Sequence, residues 1–156
     1  VTTRRLEFIA EVEPAGQPRP TFRCIGNIPQ AYKATSSPGV RKCDAMKAAI
    51  REQAYKAMDS TGFQTEPVRP VQVAITASFS RPKSHMGTGR NEGVVKPSAP
   101  HHHVVKPDAD NVAKAVLDAL SGIAYRDDVQ VVFLGVGKTY ARPSDGPSVT
   151  VAIEIH

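Results

Sequence analysis

The chain has 156 residues, 40% of them hydrophobic, and a formal net charge of +5. That is enough apolar material for one core, so a single domain over residues 1–156 is expected. No apolar run approaches the roughly 18 residues of a membrane span, VTTRRLEFIAEVEP lacks the apolar block of a signal peptide, and Cys24 and Cys43 have neither zinc-type spacing nor the number for a disulfide framework; a cytoplasmic protein with free thiols and no membrane partner is expected.

In chain order, Leu6, Phe8, Ala10 and Val12 alternate with polar residues, which predicts a half-buried strand. PAGQPRPTFR follows, broken by three prolines, and is read as a loop carrying Arg19 and Arg23 as candidate phosphate contacts. From about Pro38 a helix is predicted, with Cys43, Met46, Ile50, Ala54 and Ala57 on one stripe and Arg41, Lys42, Lys47, Arg51 and Lys56 on the others. Residues 1–58 hold ten basic and five acidic residues, an excess that suits a polyanionic partner as well as a solvated helix face.

Val71, Val73, Ile75, Ala77 and Phe79 predict a second strand. It leads into a Gly- and Pro-rich segment at about 81–105, read as a flexible basic loop, where Arg81, Lys83, Arg90 and Lys96 are candidate DNA contacts. His101, His102 and His103 are consecutive, so they cannot all aim at one ion, and carboxylate sites for Mg2+ rarely recruit imidazole. The chain closes with strands over VQVVFLGVGKTYA, expected central in the sheet, and over Ser148 to Ile155. Lys138, Tyr140 and Arg142 are read as exposed, within reach of DNA.

The most informative stretch is Lys106 to Gln130, KPDADNVAKAVLDALSGIAYRDDVQ, which holds five of the fifteen acidic residues, all aspartate. Pro107 disfavours helix at Lys106, and Asp110 or Asn111 is expected to cap a helix running from about Asn111 to about Ser121, closed by a left-handed Gly122. Asp108 and Asp110, two apart on an extended approach, are expected to point to one side. Lys114 lies one turn beyond Asp110 and four residues before Asp118. A return from the helix into the next strand is expected to bring Asp127 and Asp128 towards Asp108 and Asp110. Two carboxylates 4 Å apart repel by about 4 kcal/mol at a surface-like dielectric, so several together call for a cation. Oxygen donors of this kind suit Mg2+ or Mn2+. Taken singly, Asp110 serves as an N-cap, Lys114 and Asp118 as a surface pair, and Asp127 and Asp128 as turn residues; the grouping of every one around a single helix is what favours chemistry.

Lys106-Pro107-Asp108-Ala109-Asp110-Asn111, Lys114, Asp118-Ala119-Leu120, Gly122, Tyr125 and Asp127-Asp128-Val129-Gln130 resemble the signature of the RusA-type Holliday-junction resolvases. Gln17-Pro18-Arg19-Pro20, Ala31-Tyr32 and the closing strand resemble that family's layout more weakly; Val104-Val105 after three histidines departs from it. The resemblance implies a homodimeric endonuclease of bacterial or phage origin that uses Mg2+, with Mn2+ able to substitute, to nick four-way DNA junctions symmetrically. Its essential carboxylates fall on Asp108, Asp110 and Asp128, with Asp127 a further metal candidate, and its essential lysine on Lys114. Lys106 and His103 become site-adjacent DNA candidates.

The expected fold is a small α/β domain with a mixed sheet of about four strands flanked by two principal helices. Two rival functions are a non-catalytic basic DNA-binding or architectural protein with a degenerate acidic site, and a nucleotide phosphohydrolase. DNA affinity falling steeply with salt separates the first from the second.

Overall fold

The computed structural model describes residues 3–32 and 37–156. Its elements are β1 (Arg4–Ala10), β2 (Thr21–Ile25), β3 (Ile28–Tyr32), α1 (Pro38–Thr61), β4 (Val71–Phe79), α2 (Ala109–Leu120), β5 (Val131–Tyr140) and β6 (Ser148–Ile155). Four strands form one mixed sheet in the order β1-β6-β4-β5, with β4 and β5 parallel and the other pairs antiparallel. The α/β expectation is met: two principal helices, one mixed four-stranded sheet.

The period-2 patterns build the core as read. Leu6, Phe8 and Ala10 from β1, Val71 to Phe79 at alternate positions of β4, and Val149, Val151, Ile153 and Ile155 from β6 are all buried. They face α1, which buries Val40, Cys43, Met46, Ile50 and Ala54, and α2, which buries Val112, Val116, Ala119 and Leu120. Ser37 caps α1 through its side chain, Pro38 occupies the first turn, and Gly62 ends the helix in the left-handed region. No described helix is long and apolar enough to cross a membrane.

Two expectations are corrected. β5 is an edge strand rather than a central one, and Val132, Phe133 and Leu134 are exposed along it. The stretch after Pro20 is not only loop: β2 and β3 form a separate hairpin, with Arg23 in β2 opposite Gln30. Its two-residue turn is Gly26-Asn27, and Gly26 takes the φ of 64° that a hairpin turn beginning with glycine requires. The segment at 81–105 carries short 3-10 turns at Lys83–His85 and Gly89–Asn91 and a bridge between Met86 and Val95. Its end is bridged to β5, His102 to Thr139, with the His103 amide donating to the Lys138 carbonyl.

Candidate nuclease site

The site is built at the N-terminal end of α2. Asp108, not Asp110 or Asn111, is the N-cap: its backbone is extended and its carbonyl accepts from the Val112 amide at 3.1 Å, so the helix starts earlier than expected. Its carboxylate makes no capping bond and stays half exposed, with Arg19 Nη2 at 4.0 Å. Asp110 therefore sits in the first helical turn rather than on an extended approach, open to solvent, with Lys114 one turn further along and also exposed.

Two neighbouring segments hold this end in place. Gln17 N donates to the Asn111 carbonyl at 2.9 Å, and Gly16 lies so close that a Cβ there would stand 2.8 Å from Pro107 Cβ. Glycine is required by that approach. On the other side Lys138 Nζ donates to the carbonyls of Val105 and Pro107 at 2.7 and 2.6 Å, across the cis Lys106-Pro107 bond. Beside Gly16 and Gln17 lies an open cavity of about 420 Å³ lined also by Arg19, Lys106, Pro107, Asp108 and Asn111. A second, of about 290 Å³, shares Gly16, Lys106 and Pro107 with it and adds Glu13, Lys42 and His103.

The other acidic residues lie at the far end of α2. At 1.5 Å per residue, Asp118 stands about 15 Å along the helix from Asp108. Its ion pair is with Lys47 of α1 at 3.3 Å rather than with Lys114. Asp127 caps the 3-10 turn Asp128–Gln130, accepting from the Val129 amide at 3.1 Å. That bond, together with one between the two carboxyls, holds Asp127 below the usual carboxylate range, whereas the shared hydrogen bond and the charges of Asp127 and Asp118 push Asp128 above it. Asp128 and Asp118 also flank Tyr125, whose phenol is buried, donates to the Leu117 carbonyl at 3.0 Å and has its titration raised by burial first and those carboxylates next. The expected convergence of Asp127 and Asp128 on Asp108 and Asp110 is therefore replaced by two separate acidic groups. Among the described residues no three His, Cys, Asp or Glu side chains meet closely enough to hold an ion.

Residues 11–154 match the family described as Endodeoxyribonuclease RusA. The chain belongs to the RusA endodeoxyribonuclease family. It is also similar to the "Uncharacterized protein YqaN" of Bacillus subtilis (strain 168), with 30% identity over 155 residues covering 95% of this chain and 94% of that protein. The RusA family match spans both acidic groups and both supports of the α2 N-terminus.

The basic candidates divide by what they already hold. Arg19 and Lys106 line the cavity beside Asp108, and Arg23, Lys83 and Arg90 are exposed on the hairpin and the 81–105 segment. Arg81 is occupied: it donates to the Ala141 and Pro100 carbonyls and lies over the Tyr140 ring, 5.3 Å from its centroid. Lys96 donates to the Ser84 carbonyl. His103 is buried, stacked on Phe79 at 3.8 Å between ring centroids, and lines the second cavity rather than the first. Asp108 and Asp110 offer hard oxygen donors at a water-exposed helix end, which fits Mg2+, an ion held through one or two carboxylates while keeping waters for substrate phosphates. Gly16, Gln17, Asn111 and Lys138 are parts of the site that residue type alone does not disclose. Gln17 and Asn111 stand in the strings that carry the RusA resemblance and Lys138 was read as an exposed residue within reach of DNA, but nothing in the sequence singled out Gly16.

Proposed function

We propose that this protein is a metal-dependent endodeoxyribonuclease that resolves four-way DNA junctions by paired symmetric nicks, acting as a homodimer. The observation that carries this reading is the placement of Asp108, Asp110 and Lys114 on the open N-terminal end of α2, beside a cavity rimmed by Arg19 and Lys106. Asp108 and Asp110 would hold Mg2+, or Mn2+ in its place, with Asp128 as the third carboxylate and Asp127 as a further candidate. When bound there, such an ion would supply a water of lowered pKa and positive charge against the scissile phosphate.

The chain's own groups do the rest. Arg19 and Lys106 seat the phosphates on either side of Asp108. Lys114 places positive charge where negative charge develops on the phosphate or leaving oxygen; losing one such contact typically costs about 3 to 4 kcal/mol, or about 10² to 10³ in rate. Arg23, Lys83 and Arg90 extend the contact along the DNA arms. Since one chain keeps Asp128 at the far end of α2 from Asp108, the reading that retains all three carboxylates as ligands has a second copy supply Asp128. A two-fold dimer then carries two equivalent sites for the two equivalent strands of a junction.

One observation favours a second reading, a non-catalytic basic DNA-binding protein: among the described residues no three acids of one chain meet. The two are separated by incubating an end-labelled four-way junction, and a duplex of the same sequence, with the protein in millimolar Mg2+, Mn2+ or EDTA. Paired nicks in the junction that need metal are expected. Tight, metal-independent junction binding without nicks would select the second reading.

A further inference from the structure

Lys138 is placed unusually for a lysine. It lies opposite Ala77 in the parallel β4-β5 register, on the face of the sheet that the helices cover, and is only partly exposed. Among the described residues no carboxylate pairs with it. Instead its ammonium donates to two main-chain carbonyls, Val105 at 2.7 Å and Pro107 at 2.6 Å. Bonds from a charged donor are about twice as strong as neutral ones. Withdrawing an ammonium from water without a counter-ion is costly, so the two carbonyls are what make the placement tenable.

Those carbonyls bracket Lys106 and end at the residue that hands the chain to Asp108. The Lys138 main chain is joined to the same segment, because its carbonyl accepts from His103 N at 3.1 Å. One residue thus grips the approach to α2 at both ends, while Gly16 stands against Pro107 and Gln17 N bonds the Asn111 carbonyl in the first turn of the helix. Asp108 makes no side-chain capping bond of its own, so its aim depends on how the preceding turn is held.

We infer that Lys138 is a positioning residue: its two hydrogen bonds to the Val105 and Pro107 carbonyls fix the turn that presents Asp108, and so set the affinity of the site for its divalent cation. The inference rests on the nuclease reading above. Groups that orient metal ligands from outside the coordination sphere typically carry about 10- to 100-fold in metal affinity or activity.

The test compares wild type, Lys138→Met, which keeps the stem and removes the donors, and Lys138→Arg, which restores them. Lys138→Gln replaces the methionine variant should that one fail to fold. Three quantities are read: Mn2+ binding to the protein without DNA, by electron paramagnetic resonance; amide hydrogen exchange over residues 104–110; and junction affinity and single-turnover cleavage across a Mg2+ titration. The expected result for Lys138→Met is Mn2+ binding weakened about 10-fold or more, faster exchange confined to 104–110, a matching rise in the Mg2+ needed for cleavage, and unchanged junction affinity in EDTA. Arginine is expected to recover most of each. Wild-type Mn2+ affinity and Mg2+ dependence in Lys138→Met, with wild type cutting normally, overturns this inference alone. A wild type that neither binds Mn2+ nor cuts junctions overturns the nuclease reading and the inference with it.

Discussion

Asp108 and Asp110 are separated by one alanine, yet the helix gives them different surroundings. The first is an N-cap facing Arg19 and the cavity; the second is a first-turn residue one turn before Lys114. Reading their spacing as an extended approach misplaced the helix start by two residues. His103 shows a comparable limit: a third consecutive histidine reads as a polar loop residue, whereas stacking on Phe79 and packing against Tyr140 bury it. Burial first, and the Lys138 charge second, lower its titration below the ordinary 6.5, against smaller opposing contributions from its own backbone and Glu13. The unfolded chain therefore takes up the proton first. Stability should be full above about pH 6.5 and decline as pH falls through that value towards the lower folded one. Thermal melting between pH 8 and 5 should show this slope in wild type and a flatter one in His103→Gln; identical slopes would remove His103 as its source.

At the scale of elements, α2 was the most legible part of the fold because its apolar spacing, its aspartates before and its glycine after all agree. Gly122 takes the left-handed φ of 78° expected of it. The β2-β3 hairpin was less legible: three prolines dominate the stretch before it, and the Gly26-Asn27 turn signal sits between short runs whose apolar members, Phe22, Ile25 and Ile28, remain exposed. β5 misled for a related reason, since an apolar run usually means a buried strand, and here Val132, Phe133 and Leu134 lie on an edge. The far end of α2 is tied by Tyr125, whose hydroxyl donates to the Leu117 carbonyl. That carbonyl also accepts from Ser121 N at 2.9 Å, so Tyr125→Phe leaves no unpaired acceptor. A loss of only about 1 kcal/mol is expected in urea unfolding. A loss several times larger would mean that the phenol orders Asp118 and Asp128 as well.

At the scale of the whole molecule, one chain separates what the proposed chemistry needs together. The length of α2 was legible in its apolar spacing; what the sequence did not report is that the chain after the helix leaves Asp127 and Asp128 at its far end instead of carrying them back to Asp108. The exposed apolar edge beside Asp127 and Asp128 is consistent with a second copy near that end. If the site is shared, Asp108→Asn and Asp128→Asn chains, each inactive alone, should recover cleavage when mixed and allowed to exchange subunits, because one interface then carries an intact site. No recovery on exchange would place the three carboxylates within one chain.

The central claim is that the N-terminal end of α2 is a metal-dependent site for cutting branched DNA. It is tested most directly by following binding and cleavage of one four-way junction by wild type and Asp110→Asn, side by side in Mg2+. The account predicts that the variant binds the junction as tightly as wild type, since affinity rests on the basic surface, and produces no nicks. An Asp110→Asn protein that cuts as fast as wild type would contradict it.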